Sequence, residues 1–449
     1  MFMHKSKKGF TIVELVIVIA VIAILAAVLI PTFSNLVKKA NMSADQQAVR
    51  QMNTALAADG AVVPTDIFKL HEVLSELGLS SEDYKPLTKD TYFFWDADLN
   101  RVLHVDDQYV VITPADYEGQ AYTDKSNWFS LSLEIKEEKV TITDNKATVT
   151  NGAQMKYLLN KMNEGTKTLE ITLDGTIDMM GAAFDLPQFN YNDGYNVTIS
   201  GGTIKNAVTV DYAQEAVSGE DGQDGVYACA LIPHVHCGNS VTISGVTFEN
   251  LNIKNTNASG VGLLIGELSG GTATIEDVTI RNSTVIGHRN TGALVGTINY
   301  GSDSNGSGGA GGKLTLKGDI VLENVAVQTV GGRSGMLVGM LGAYGEVTAT
   351  SAKIKLTNCA YELYKCEQNT GTAKVYDEDT KTYKTENLGL QSNGIVKSYA
   401  LAQGEGDYAG QYVNQLEGKK FVENSLIMIS NEEAKTSAND FYGATVTGW

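Results

Sequence analysis

Between Phe10 and Ile30 the chain runs for 21 residues with only two polar side chains, Thr11 and Glu14. As a helix rising about 1.5 Å per residue, this run is long enough to cross a hydrocarbon core. Lys5, Lys7 and Lys8 precede it. Basic residues hold that flank of a span on the cytoplasmic side, so the body of the chain is expected outside. Glu14 is the anomaly, because a carboxylate in a bilayer is expensive even on lenient insertion scales and therefore reads as functional. A cleaved secretory signal has a shorter apolar core that ends at small residues, whereas this run continues through "AILAAVLIP". A plain signal anchor has no use for Glu14.

The stretch "KKGFTIVELVIVIAVIAILAAVLIP" resembles the class III signal of type IV prepilins and type II secretion pseudopilins. The resemblance covers about the first 45 residues and rests on the basic leader, Gly9, Phe10 and Glu14. It implies that a prepilin peptidase removes residues 1–9 by cutting between Gly9 and Phe10, where glycine leaves steric room. It further implies methylation of the new Phe10 amino group and pairing of Glu14 with that group on a neighbouring subunit, which selects register in a filament. Pro31 stands where pilins often carry a helix-breaking proline and is expected to kink or locally melt the helix.

Past Pro31 apolar residues recur at helical spacing (Phe33, Leu36, Val37, Val49, Met52, Leu56), with Lys38, Lys39, Asp45, Gln46 and Arg50 assigned to the polar side. One long helix over about 10–58 follows, membrane-spanning over 10–30. "DIFKLHEVLSELGLS" predicts a short helix, and "TYFFWDADLNRVLHVDDQYVVIT" two or three strands around the turn "DADLN". Together these make a small αβ head over 59–120, of the kind pilins have, followed by a connection over 121–144. His71 and His104 are read as structural or surface residues.

Two motifs then alternate. One is "ALIP", "LLIG", "ALVG", "MLVG", with Leu231, Leu264, Leu294 and Leu337 separated by 33, 30 and 43 residues. The other ends in asparagine: "GGTIKN", "GVTFEN", "DVTIRN", "DIVLEN", "KIKLTN", at Asn206, Asn250, Asn282, Asn324 and Asn358. Removing the loop "YGSDSNGSGGAGG" restores a unit of about 30 residues. Such a period, rich in Val, Ile, Thr and Gly, predicts a parallel β-helix over 145–365 with Asn at left-handed corners, stacked as a ladder. This part resembles pectin-lyase-like right-handed β-helices and GLUG-type surface repeats. A β-sandwich of the same short strands is the alternative. "VTNGAQMKYLLNKMNEG" predicts a helix capping the first coil, and residues 366–449 a β-rich region covering the other end. The fold class is therefore α+β.

Cys229 with Cys237 and Cys359 with Cys366 are candidate local disulfides in an exported body; free buried thiols are the alternative for both pairs. His234 and His236 in "CALIPHVHC" raise metal binding for the first pair, but the spacing matches no zinc pattern. Glu220, Asp221 and Asp224 in "GEDGQDG" offer oxygen ligands for calcium, against the commoner reading of a solvated turn. Arg281, Arg289, Arg333 and His288 are isolated, and "GSGGAGG" lacks the lysine of a phosphate loop.

A net charge of −18 speaks against nucleic acid as a partner. The expected partners are other pilin subunits, the prepilin peptidase, the cytoplasmic membrane and a surface glycan or protein ligand. The expectation is a non-enzymatic minor or tip subunit of a type IV filament or related secretion machinery, displaying its solenoid for adhesion. The rival is a surface-anchored carbohydrate-active β-helix enzyme that borrows the export signal.

Overall fold

The computed structural model describes most of residues 12–362, omitting 59–61, 123–126, 187–188, 190–192, 210–227, 303–308, 330–333, 342–344 and scattered single positions. Beyond 362 it describes seven short strands. The chain divides into two units, Met1–Ser132 and Leu133–Trp449.

In the first unit, helix α1 (Ile12–Leu56) is continuous for 45 residues. It passes through Pro31, so the local melting expected there is absent: one missing ladder bond leaves the turns on either side intact. Its buried positions in the second half are Asp45, Val49, Met52 and Leu56, a stripe at spacings of four and three. Asp45 thus belongs to the inner face, a correction to its polar-side assignment. Periodicity fails there because the carboxylate has backbone partners, accepting from the N–H of Leu87 (2.8 Å) and Thr88 (2.9 Å). One turn earlier, Asn41 donates to the Leu87 carbonyl at 3.1 Å. Farther along, Asn53 donates to the Val102 carbonyl (2.8 Å) and accepts from the Val102 N–H (2.7 Å), pairing with that peptide as a strand would.

Helix α2 (Ile67–Glu76) starts at Asp66, whose carboxylate accepts from the N–H of Lys69, and it buries Ile67, Leu70, Val73 and Leu74. The strands β1 (Thr91–Asp96), β2 (Arg101–Asp106), β3 (Val111–Thr113) and β4 (Trp128–Ser130) form one antiparallel sheet ordered β3-β2-β1-β4. The fourth strand lies within the stretch 121–144 expected as a connection, and the first unit runs to Ser132. Trp128 holds it there: its ring is buried and its indole N–H donates to Asp96 at 2.9 Å.

The second unit is built from strands that pair in parallel with the strand one repeat later. In its largest sheet Ile199, Ile243, Ile275 and Leu316 occupy one register position. Ile177, Ile204, Phe248, Ile280 and Leu322 occupy another. A second sheet aligns Ile232, Ile265, Val295 and Val338. All of these side chains are buried, as period-two alternation requires of a one-sided core. The parallel pairing departs from the antiparallel sandwich alternative. Helix α3 (Gly152–Asn163) is N-capped by Asn151 and buries Met155, Leu158, Leu159 and Met162. Beyond the repeats Thr372–Asp377 and Thr382–Asn387 form a hairpin, while Leu426–Ile429 and Thr445–Thr447 pair with Glu346–Thr357.

Two substitutions probe the two units separately by denaturant unfolding. Asn53→Ala leaves both polar groups of Val102 without their helix partner and should cost about 1–3 kcal/mol. Phe248→Ala, which empties a fully buried position of the repeat core, should cost about 3–5 kcal/mol.

Candidate functional site

Glu14 occupies the first turn of α1. Around it the helix is apolar on every side: Ile12, Val13, Leu15, Val16, Ile17 and Val18 are 46–81% exposed. An 18-residue window of α1 has mean hydropathy 3.3, none of it is buried within the chain, and by length and composition it can cross a membrane. Gly9 and Phe10 lie outside the described residues, as does the Pro31 side chain. A helix apolar all round must be covered by lipid or by other helices.

The repeat corners form the second feature. Asn206, Asn250, Asn282 and Asn324 all have left-handed backbone, with φ of 57°, 59°, 48° and 53°. Asparagine tolerates this conformation better than most residues with a Cβ. Asn250 donates to the Asn206 side-chain oxygen (3.0 Å), and Asn324 to that of Asn282 (2.9 Å). Asn206 in turn donates to Asp178 at 2.9 Å. Asn358 lies outside the described residues.

Immediately before this column stands another, which sequence reading missed. Asp178, Lys205, Glu249, Arg281 and Glu323 share one register position, so the sign of charge alternates from strand to strand. Lys205 contacts Asp178 at 2.9 Å and Arg281 contacts Glu323 at 2.8 Å. The pattern was visible in "IKN", "FEN", "IRN" and "LEN". Cross-strand pairs of opposite sign favour this stacking order over one that places like charges together. A third column, Thr198, Thr242, Thr274, Thr315 and Thr348, presents a row of half-buried hydroxyls and methyls.

For Cys229, Cys237 and Cys359 the structure gives the alternative reading, buried thiols outside any disulfide; Cys366 lies outside the described residues. Cys229 ends a short strand whose thiol meets Thr209 Oγ1 at 3.2 Å, whereas Cys237 follows the strand Ile232–His236 and donates to the Gly301 carbonyl at 3.3 Å. Proximity in sequence therefore does not bring these sulfurs together. Burial pushes the Cys359 thiol up to about 11.

His234 is pushed down to about 4, first by burial and then by neighbouring His236, so it is neutral at physiological pH. His236 Nδ1 accepts from the Cys237 N–H at 2.7 Å, which occupies that ring nitrogen. Among the described residues no three His, Cys, Asp or Glu side chains are placed to hold a metal ion. Glu220, Asp221, Asp224, Arg289 and Arg333 lie outside the described residues.

Comparison with known proteins concerns the amino-terminal segment. Residues 4–30 match the family model described as a prokaryotic N-terminal methylation motif. The chain is also 43% identical over 54 residues to three type IV major fimbrial protein FimA sequences of Dichelobacter nodosus. The matched stretch is 12% of this chain and 34–35% of each relative, so the chain spans about a third of the length of the curated relatives it matches. No solved structure matches the chain. The amino-terminal segment is type IV prepilin-like.

The corner column yields a stability test. Asn282→Gly retains the left-handed backbone and loses the ladder bond, whereas Asn282→Val also places a β-branched residue at φ of 48°. Urea unfolding should rank wild type above Gly and Gly above Val, with about 1–2 kcal/mol separating the two variants.

Proposed function

We propose that this chain is a pilin-like subunit that enters a type IV filament or pseudopilus through α1 and displays its repeat body on the cell surface. In this reading a prepilin peptidase cuts between Gly9 and Phe10, Phe10 becomes the methylated amino terminus, and the membrane holds the subunit until assembly. Glu14 then neutralises the Phe10 amino group of a neighbouring subunit inside an apolar bundle. The observation that carries the reading is the position of Glu14. It is a carboxylate in the first turn of a helix with no buried face over its apolar window, inside the segment that matches the methylation motif.

The body is read as a right-handed parallel β-helix whose outer face binds a surface glycan or protein ligand, without enzymatic activity. Its in-register parallel strands and corner asparagines support that architecture. The unit Leu133–Trp449 is large for a bulk subunit, which favours a minor or tip position.

Mass spectrometry of the amino terminus, combined with Glu14→Ala in the producing cell, tests the reading. The mature chain should begin at methylated Phe10. The variant should be exported normally yet be absent from sheared filaments, since the membrane helix persists and the charge partner does not. An unprocessed terminus, or wild-type incorporation of Glu14→Ala, would remove the assembly role.

A further inference from the structure

In the head, His104 on β2 is fully buried. Thr91 spends its hydroxyl proton on the Thr88 carbonyl at 2.8 Å. The 2.8 Å contact between His104 Nε2 and Thr91 Oγ1 must then be donated by the ring. The proton therefore sits on Nε2, which leaves the Nδ1 lone pair buried without a hydrogen-bond partner. Asp45, also buried, accepts the backbone N–H of Leu87 and Thr88, and its Oδ2 lies 4.0 Å from His104 Nε2. Asp45 on α1 is the charged group acting on the ring; β1 adds Thr91 and the edge-on ring of Phe93, and β3 sets Thr113 opposite His104 in the sheet.

We propose that His104, Thr91, Thr88 and Asp45 form an acid-operated latch that pins the Leu87–Thr88 loop to α1. Protonation of Nδ1 creates a buried N–H that none of these groups accepts. Attraction between the cationic ring and the Asp45 carboxylate opposes this only in part. The unaccepted N–H favours an open loop, in which His104 and Asp45 reach water and the Leu87–Thr88 backbone is released from α1.

Burial lowers the affinity of His104 for a proton below that of a free histidine, and Asp45 offsets this in part. The sign follows. Above about pH 6.5 the ring is neutral in both states and the latch has full strength. As pH falls below that value, the open state takes up the proton first. The opening constant then rises by up to about tenfold per pH unit until the closed state is protonated too.

The test is amide hydrogen exchange at Leu87 and Thr88 in the full chain in detergent micelles, corrected for the intrinsic pH dependence of exchange. Wild type should show opening that is flat down to about pH 6.5 and then climbs. His104→Gln keeps a donor for Thr91 and cannot titrate, so its opening should stay flat; His71→Gln should climb like wild type. Exchange at the ring carbon of His104 provides a measurement that needs no variant, and its midpoint should coincide with that of loop opening. A climb that persists in His104→Gln, or loop protection unchanged while His104 titrates, would overturn the latch.

Discussion

A helix that is apolar around its whole circumference has no face to turn toward water, and the rest of this molecule is arranged under that constraint. Over its apolar window α1 buries nothing within its own chain. Lipid or other helices must supply the cover, and van der Waals contact between apolar helices is weakly directional. In the proposed filament Glu14 adds direction. In an apolar bundle a carboxylate without a cation is so unfavourable that only arrangements that pair it persist. In the proposed filament, attraction comes from the many apolar residues and register from Glu14.

The second half of α1 solves the same problem within the head. Val49, Met52 and Leu56 bury apolar surface, but a greasy stripe alone tolerates sliding by a turn. Asn41, Asp45 and Asn53 do not, because each meets a specific backbone group: the Leu87 carbonyl, the Leu87 and Thr88 amides, and both polar groups of Val102. A slip would leave a buried carboxylate and several peptide groups unpaired. In this half of the helix, polar contacts in apolar surroundings define the position and hydrophobic contacts supply the stability.

Much of this was legible in the residues. The apolar run, Glu14 and the alternating repeat motifs follow from composition and spacing, because membrane length and strand stacking each leave a periodic mark. The left-handed corners were readable because asparagine is among the few residues that accept them. Asp45 was not readable, since its environment is set by two amides more than forty residues away. The Trp128 strand was hidden because its partner strand lies before a loop and its anchor is a single indole bond to Asp96. Sequence spacing did not decide between disulfide and free thiol for Cys229 and Cys237, because a turn leaves Cys229 at the end of one strand and Cys237 just past the next. The alternating charges were overlooked because each looks isolated until the register aligns them.

In the proposed filament the central contact is the one between Glu14 and the Phe10 amino group of the next subunit. A reconstruction of the assembled filament at side-chain detail measures it directly. The Glu14 carboxylate should lie within about 4 Å of a neighbour's Phe10 nitrogen, inside the helical core. A Glu14 that faces solvent, or that pairs with a side chain of its own subunit, would contradict it.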